Sequence, residues 1–307
     1  MLTTLLGCEH AAAYSGRGRR SGQQQAYNLD LAPTSPVRLG VKLRLQLFEF
    51  EDLSWFPSVI RAGMMDYLRF MISHLRIYDS VVPLLQVALR ATNQQQIVEL
   101  GAGAGGGTEG VARAIRAAPD LQEVSTTLTD LYPQPTAWQQ LAARPDTGIT
   151  YEAAPVDALA VPAHLTGFRT IFSAFHHFSP TAAEAMLADA VRQRSGIGVF
   201  EGAGKHWHEL LLAWTILPVL QLLATPFMPP FRLSRLFFTY VIPLVPLCTI
   251  WDGTVSILRM YPPEQLLALA HRADPNGSFA WQAGKTRHWS GSQVTYLLGW
   301  PKSSNSK

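Results

Sequence analysis

Short apolar runs alternate with amphipathic segments along the middle of the chain. The apolar runs have the length of buried strands, and they predict strands over residues 95–100, 123–130, 148–157, 168–178 and 196–201. The segments between them repeat apolar residues at helical spacing, and they predict helices over residues 108–118, 136–144 and 179–194. Strands that alternate with helices through short connections predict a doubly wound, mostly parallel α/β sheet, here over residues 94–205.

The pattern is different before this region. Residues 41–93 repeat apolar side chains such as Ile60 and Met64 at helical spacing, which predicts a helical segment. Residues 1–40 are rich in Gly, Gln and Ser and have no apolar period, so we expect a disordered tail.

An apolar insert is predicted over residues 206–251. Residues 210–231 and 236–251 contain no charged side chain, and only a short segment with Arg232 and Arg235 separates them. The first run is long enough to span a bilayer, but several prolines interrupt both runs. One interpretation is a broken helical hairpin that enters one leaflet of a membrane, with the two arginines at lipid phosphates. The other is a helical cap that walls a substrate pocket, and both favour an apolar substrate.

The fold pattern resumes over residues 252–301. A helix is predicted over residues 262–273, and a closing pair of strands over residues 278–289 and 292–300. The last part of the chain therefore belongs to the same α/β sheet as the central region.

Charge and cysteine content exclude several classes of function. The net charge is +3 over 307 residues, which gives no electrostatic footprint for nucleic acid. Cys8 and Cys248 are far apart in dissimilar contexts, so we expect reduced thiols rather than a disulfide or a metal site. The HWH sequence at residues 206–208 lacks a companion acid or cysteine at ligand spacing, and no metal site is predicted.

A glycine-rich loop follows the first predicted strand, in IVELGAGAGGGTEG at residues 97–110. Gly101, Gly103 and Gly106 have the G-x-G-x-x-G spacing of dinucleotide sites. However, Glu99 lies two residues before the first of these glycines, and a carboxylate beside a pyrophosphate costs energy. S-adenosylmethionine (SAM) carries an ammonium and a sulfonium, so Glu99 favours SAM over a dinucleotide.

Two further acids end the next two predicted strands. Asp130 lies at the distance beyond the glycines where a carboxylate meets ribose hydroxyls, which fits both types of cofactor. Asp157 ends the third strand, where a carboxylate can accept a hydrogen bond from an adenine amino group. Either acid can also have a purely local role as a turn or loop residue.

Five motifs carry a resemblance to a known family: VELGAGAGG, TLTDLYP, APVDAL, FSAFHHF and GVFE. With them the chain resembles the class I SAM-dependent methyltransferases of the small-molecule or quinone-type branch, firmly over residues 95–201 and loosely over residues 252–301. The resemblance implies a seven-stranded Rossmann-like sheet, SAM as cofactor and methyl transfer to a small acceptor. The long apolar insert after strand five departs from the family, which usually has a short crossover there.

The resemblance also implies roles for the residues that match these motifs. Residues of the glycine loop would face the methionine part of SAM, Asp130 the ribose and Asp157 the adenine, and Ser173 and His176 would line the reactive end. The implied cofactor-binding residues are Glu99, Gly101, Ala102, Gly103, Gly105, Asp130, Leu131, Asp157, Ala158, Ser173 and His176.

His176 and His177 are the candidate catalytic residues. They end the fourth predicted strand, where neighbouring side chains point in different directions. Histidine titrates near neutrality, so one of them could act as a base if the acceptor must lose a proton. The alternative is that both are structural and pack against the loop and cofactor.

Candidate substrate residues lie in two segments. Methyltransferases often fold an N-terminal helical lid over the pocket, and such a lid would bring Glu49, Asp52 and Trp55 to the substrate, unless they form a solvated acidic face. Asp252 and Arg259 follow the insert and could hold a polar head group or form a loop ion pair.

Three functions remain open at this point. The first is a SAM-dependent methyltransferase that acts on a hydrophobic acceptor such as a quinone, an isoprenoid or a lipid-like molecule. The second is a non-catalytic, membrane-associated binding or assembly factor with the same fold, and the third is a nicotinamide-dependent oxidoreductase. In each case we expect a cytoplasmic protein that contacts a membrane surface or bilayer through residues 210–251 and binds no nucleic acid.

Overall fold

The computed structural model describes residues 44–203, 207–289, 291 and 293–302, except for the side chain of Trp207. The predicted disordered tail and Cys8 lie outside the described residues. The described helices are α1 (Ser58–Leu75), α2 (Val82–Thr92), α3 (Thr108–Arg116), α4 (Pro135–Ala142), α5 (Pro180–Arg192), α6 (Trp207–Ala224), α7 (Leu233–Leu236), α8 (Leu244–Arg259) and α9 (Pro263–Ala273). The described strands are β1 (Gln96–Glu99), β2 (Ser125–Leu128), β3 (Ile149–Tyr151), β4 (Phe168–Phe172), β5 (Ile197–Glu201), β6 (Phe279–Arg287) and β7 (Gln293–Pro301).

The strands form one seven-stranded sheet in the order β3-β2-β1-β4-β5-β7-β6. Strands β1 to β5 pair in parallel, whereas β7 runs antiparallel to both of its neighbours, β5 and β6. The chain reverses its direction of travel across the sheet between β3 and β4, which places the switch point beside β1. The predicted fold class, a doubly wound, mostly parallel seven-stranded α/β sheet, is confirmed.

Helices cover both faces of the sheet. On one face α2 and α3 pack against Ile97 and Phe200, and on the other α5 and α9 pack against Ile171 and Val199. The start of α5 is set by its sequence, because Ser179 caps it by accepting a hydrogen bond from the Ala182 amide (3.3 Å). The central strands β4 and β5 are buried along almost their whole length. Because buried parallel strands form short, largely apolar runs, the sequence pattern predicts this part of the sheet.

The fourth strand is shorter than predicted. It ends at Phe172 instead of residue 178, and a 3-10 helix, Phe175–His177, follows it. Ser173 adopts a positive φ of 45°, which breaks the extended conformation there. The expectation that His176 and His177 lie on a strand and point in different directions is therefore wrong.

The helices outside the sheet form a separate layer. α1 packs against α8, and α6 packs against α8 through hydrogen bonds such as Trp214 Nε1 to Thr254 Oγ1 (2.9 Å). A π-helix, Phe237–Val241, continues α7, and the chain then bends by 80° into α8. α8 runs through residue 251, the predicted end of the insert, so Asp252 and Arg259 lie on a helix that begins within the insert.

Candidate active site

The glycine-rich loop joins β1 to α3 at the carboxyl edge of the sheet. Gly101, Gly103, Gly105 and Gly107 all have positive φ values, between 52° and 87°. Gly107 is the N-cap of α3, and a Cβ at this position would lie only 2.7 Å from Cγ2 of Ile72. Glycine is required here both by the backbone conformation and by the close approach of α1.

Asp130, which follows β2, holds this loop. Its Oδ2 accepts a hydrogen bond from the Gly103 amide (2.8 Å), and its Oδ1 accepts one from the Tyr132 amide (2.8 Å). The other side of the loop is fixed by Trp138, whose Nε1 donates to the Gly103 carbonyl (2.9 Å). The second predicted acid and the glycine loop are therefore one hydrogen-bonded unit.

Glu99 lies beneath the loop and is almost completely buried. Its Oε1 accepts a hydrogen bond from Thr108 Oγ1 (2.9 Å), at the first turn of α3, and its Oε2 has no hydrogen-bond partner. Burial raises the pKa of Glu99 to about 8, against a smaller lowering by the Thr108 hydrogen bond. The carboxyl group faces the interior of the protein rather than open solvent.

The remaining predicted cofactor residues follow the neighbouring strands. β3 ends at Tyr151, so the expectation that Asp157 ends the third strand is wrong; Asp157 lies in the loop that follows it. Asp157 is exposed and accepts a hydrogen bond from the Leu159 amide (2.8 Å), while Ala158 packs against the core and Leu131 is exposed. Ser173 follows β4 and accepts a hydrogen bond from the Gly202 amide (3.2 Å). Its hydroxyl is also hydrogen-bonded to the buried hydroxyl of Tyr78, a contact that no sequence pattern predicted.

Helix α1 covers the glycine loop. A Cβ added to Gly103 would lie 3.5 Å from the terminal methyl group of Met65. A Cβ added to Gly106 would lie 3.2 Å from the Cα of Arg69. The N-terminal helical segment therefore packs directly on the loop, as a lid would.

His176 faces inward from the 3-10 helix after β4. It is buried, its Nδ1 is 2.8 Å from Glu201 Oε2, and its amide donates to Glu201 Oε1 (2.9 Å). Since the carboxylate accepts the Nδ1 proton, Nε2 is the nitrogen that presents a lone pair. Nε2 is buried and has no hydrogen-bond partner; it lies 3.8 Å from Glu49 Oε1.

His177 repeats this arrangement on the outer side. Its Nδ1 is 2.9 Å from Asp52 Oδ1, and its Nε2 is 3.6 Å from Glu49 Oε2. The two imidazole rings are 4.3 Å apart between centroids and tilted by 33°. Both Nε2 atoms thus face the same carboxylate, because the residues lie in a 3-10 turn and not on an extended strand.

Arg259, at the end of α8, ties the two acids together. Its Nη1 donates to Glu49 Oε1 (3.0 Å) and to Asp52 Oδ2 (2.7 Å). Burial raises the pKa of Glu49 to about 7, with smaller opposing effects from His177 and Arg259. Burial also opposes ionisation of Asp52, but the hydrogen bonds from His177 and Arg259 outweigh it and lower that pKa to about 2.

Three of the five predicted substrate residues are therefore in contact, and two are not part of this cluster. Asp252 accepts hydrogen bonds from the Phe50 and Glu51 amides (2.8 and 3.1 Å) and does not pair with Arg259. Trp55 is exposed and packs beside Phe56.

Two site residues were missed in the sequence. Glu201 ends the fifth strand, and an acid at that position is the same signal that singled out Asp130 and Asp157. Arg44 gave no signal; it donates to the Arg259 carbonyl (2.5 Å) and the Phe178 carbonyl (3.0 Å) and lies 4.3 Å from the centre of the Tyr261 ring.

The apolar insert exposes an unusual amount of apolar surface. The stretch His208–Phe227 is long and apolar enough to cross a membrane, and only 17% of it is buried. Phe227, Leu233 and Val241 are 79%, 74% and 67% exposed. A core helix of equal composition would be buried, so composition and exposure together distinguish this layer from ordinary core.

The arginines between the two apolar runs do not lie as expected. Arg235 is buried; its Nη1 donates to Asp66 Oδ2 (2.6 Å), and its Nη2 donates to the Met228 and Pro230 carbonyls (2.5 and 3.1 Å). Arg232 also pairs with Asp66 (3.1 Å) but stays half exposed. The expectation that Arg235 meets a lipid phosphate is wrong, because α1 supplies its counter-charge.

Comparison with known proteins assigns the chain to no family. No family model matches the chain, and no curated protein matches it. Solved structures that are similar include the plantazolicin methyltransferase BpumL in complex with SAH, with a TM-score of 0.46 at 9% identity over 80% of this chain and 98% of that one. Human N-acetylserotonin methyltransferase in complex with SAM has a TM-score of 0.44 at 14% identity, over 81% and 59%. A protein from Rhodobacter sphaeroides named as a Zn-dependent alcohol dehydrogenase has a TM-score of 0.40 at 12% identity, over 75% and 98%. At these values the similarity says nothing about chemistry, which must come from the site itself.

Proposed function

We propose that this protein is a SAM-dependent methyltransferase of the small-molecule type. One observation carries the proposal: the glycine loop after β1 is bonded to the acid after β2, through Gly103 and Asp130, at the carboxyl edge of this sheet. Open α/β sheets bind nucleoside cofactors at this edge, beside the switch point. Burial raises the pKa of the acid before the loop, Glu99, to about 8; a cofactor with positive charge would favour its ionised form, whereas a pyrophosphate would not.

The cofactor would lie across the ends of β1, β2 and β3. Each oxygen of Asp130 accepts one amide hydrogen bond and keeps a lone pair for a ribose hydroxyl. Asp157 is exposed and free to accept from an adenine amino group on one of its oxygens. The unpartnered Oε2 of Glu99 is available to a donor at the base of the loop, such as the ammonium of the methionine part.

Methyl transfer needs alignment of the acceptor, the methyl group and the sulfur, together with exclusion of water. The lid helix α1 supplies the exclusion, since it already contacts the loop through Met65 and Arg69. If the acceptor must lose a proton, His176 is placed to take it on Nε2, because Glu201 holds Nδ1. His177 with Asp52 is the equivalent pair on the exposed side.

The acceptor is proposed to be hydrophobic and to be reached at a lipid bilayer. The surface of α6 and of the segment after it carries exposed large apolar residues, led by Phe227, Leu233 and Val241. So many exposed large apolar side chains close together in the chain are the kind of surface that marks a membrane or binding site. The 80° bend before α8 favours insertion of a hairpin into one leaflet over a pair of straight spans.

The proposal is tested by calorimetric titration of detergent-purified protein with SAM and, separately, with NADH. Saturable SAM binding that Asp130→Ala weakens at least tenfold is the expected result. The matched control is Asp120→Ala, because Asp120 is also a surface-paired aspartate but bonds only Arg90 (2.6 Å), far along the chain from the loop. NADH binding without SAM binding would make the protein an oxidoreductase. Binding of neither by folded protein, with lipid extract present, would leave the non-catalytic alternative.

A further inference from the structure

His176, His177 and Glu49 form a cluster of ligand-type side chains that acid–base chemistry alone does not use. One donor atom from each, a ring nitrogen of each histidine and a Glu49 carboxylate oxygen, lie within 4.8 Å of one another. His176 and Glu49 are 3% and 0% exposed, yet His176 Nε2 and Glu49 Oε2 have no hydrogen-bond partner. Buried polar atoms of native proteins are rarely left this way, because an unpaired buried group loses its hydration without gaining a hydrogen bond.

A carboxylate at Nδ1 fixes the orientation of each imidazole ring. Glu201 holds Nδ1 of His176 and Asp52 holds Nδ1 of His177, so both neutral rings direct their Nε2 lone pairs to the same place. Histidines that bind metal ions are oriented in this manner, with a carboxylate or carbonyl on the far nitrogen. One such pair is common in proteins; two adjacent pairs facing a third ligand are the arrangement of a metal centre.

The distances and the charge fit a small divalent ion. Two ligands of a tetrahedral zinc ion with bonds of about 2.1 Å lie about 3.4 Å apart, and the Nε2 atoms of His176 and His177 are 3.8 and 3.6 Å from oxygens of Glu49. The charged groups around the cluster are the acids Glu49, Asp52 and Glu201 and the bases Arg259 and Arg44. Glu51 also acts electrostatically on Glu49, so with neutral histidines four acids face two bases, and a divalent ion would compensate the two excess negative charges.

We propose that His176, His177 and Glu49 bind a divalent transition-metal ion of the zinc type. Two imidazoles and one carboxylate leave further positions of the ion open, as in catalytic rather than structural centres. An entry path exists on the side of His177, whose side chain is 25% exposed. Arg259 is the present partner of Glu49 Oε1, so the ion is bound through Oε2 or displaces that hydrogen bond.

The site lies beside the proposed cofactor position. Ala174 lies two residues before His176, and its Cβ is 3.6 Å from where a Cβ added to Gly101 of the glycine loop would lie. An oxygen of the acceptor that occupied an open position of the ion would be held near the methyl group and would ionise more readily. This role rests on the proposed methyltransferase function, whereas metal binding itself does not.

Metal binding is tested on the full chain, purified in detergent and freed of metal with a chelator. Zn²⁺ is titrated by calorimetry, and Co²⁺ is titrated by its visible absorption, which reports coordination geometry. The expected result is one ion per chain with a low-symmetry, tetrahedral or five-coordinate Co²⁺ spectrum. His176→Ala and Glu49→Gln should each weaken binding at least tenfold, while His164→Ala, an exposed histidine paired with Glu152, should leave it unchanged.

Further variants keep the outcome clear if the buried ones fail to fold. His177→Ala removes a partly exposed ligand and should also weaken binding at least tenfold; Asp52→Asn should weaken it less, because Asp52 only orients His177. No Zn²⁺ or Co²⁺ binding by folded protein, or unchanged binding in His177→Ala, would overturn the proposal and leave an ion-pair network centred on Arg259. SAM binding is measured with and without Zn²⁺ in the same preparation. A variant that loses Zn²⁺ binding and keeps SAM binding, or the reverse, separates the metal site from the proposed methyltransferase function.

Discussion

The carboxylate of Asp130 and the amide of Gly103 are joined by a 2.8 Å hydrogen bond that links the end of one strand to the loop that follows its neighbour. One crossover through α3, 27 positions of the chain, separates the two residues, yet they form the floor of one site. The same carboxylate also holds the Tyr132 amide, so the side chain organises the loop before any ligand arrives.

Removal of this side chain should affect stability and cofactor affinity together. Asp130→Ala leaves two amides without their acceptor, and hydrogen bonds to charged groups contribute about 1.5–3 kcal/mol each. We expect the free energy of unfolding in urea to fall by about 2 kcal/mol, less than the sum of two such bonds, because water can hydrate the Tyr132 amide at the surface. Asp130→Asn, which keeps one acceptor oxygen, should lose less. Equal losses in Asp130→Asn and Asp130→Ala would contradict the assigned hydrogen bonds.

Glu99 should make the stability of the protein depend on pH. Its pKa is raised to about 8 by burial, above the value of about 4.3 in an unfolded chain. The folded state therefore holds an additional proton between these values, and its stabilising effect is complete at low pH and lost as pH rises towards 8. Relative to Glu99→Gln, the wild type should lose about 1.4 kcal/mol for each unit by which the pKa is raised.

The measurement is urea unfolding of both proteins between about pH 5 and about pH 8. Glu123→Gln serves as the matched control, since Glu123 is exposed and lies just before β2. Parallel stability curves for the wild type and Glu99→Gln would show that the carboxyl group is not shielded as the structure has it.

The buried pair of Arg235 and Asp66 should be costly to break. Removal of Arg235 leaves the Asp66 carboxylate with only the half-exposed Arg232 as a close partner and leaves the Met228 and Pro230 carbonyls without this donor. Breaking a buried pair typically costs about 3–5 kcal/mol, and the remaining partner places this case near the lower end, at about 3 kcal/mol. We expect Arg235→Leu to reduce the free energy of unfolding by this amount. Arg272→Leu breaks an exposed pair with Glu184 (2.7 Å) and should cost no more than about 1 kcal/mol. Comparable effects of the two substitutions would mean that Arg235 is hydrated.

The membrane proposal predicts that charge on the insert weakens vesicle binding. Phe227→Asp places a carboxylate at a position that is 79% exposed, so folding should be unaffected. Burial of a large apolar side chain contributes about 1.5–3 kcal/mol, and we expect flotation with phospholipid vesicles to fall about tenfold or more. Val87→Asp, on the exposed side of α2, is the control that should bind as the wild type does. Unchanged flotation of Phe227→Asp would favour the helical cap over the membrane element.

Local pattern was sufficient for the sheet. The buried strands, the glycine loop and the capped start of α5 each depend on residues that are neighbours in the chain, so their order follows from periodicity. The ends of the third and fourth strands do not: they were predicted at residues 157 and 178 and lie at Tyr151 and Phe172. The pattern was wrong after Phe172, because Phe175 and Phe178 continue the apolar run although they belong to a turn. Apolar residues that fill the core from a turn look the same in sequence as those that fill it from a strand.

The histidine cluster could not be predicted in the same way. Glu49 and Arg259 meet across 210 positions of the chain, and His177 meets Asp52 across 125. Their chemistry made these residues candidates for a site, but the sequence did not predict that they contact one another. Their contact depends on how the segment before α1 and the end of α8 pack beside β4, which no local pattern encodes.

Asp66 has a consequence for how the protein would work through its cycle. One carboxylate on α1 holds both Arg232 and Arg235 from the tip of the apolar layer, and Tyr67 and Arg69 bond the Leu217 and Pro229 carbonyls (2.7 and 2.8 Å). The same helix also rests on the glycine loop, through Met65 and the Cα of Arg69. Cofactor exchange, which requires α1 to lift, must then move residues that are proposed to sit in lipid. Contact with the bilayer would then slow turnover, and lipid composition would affect the rate at which the cofactor product is released.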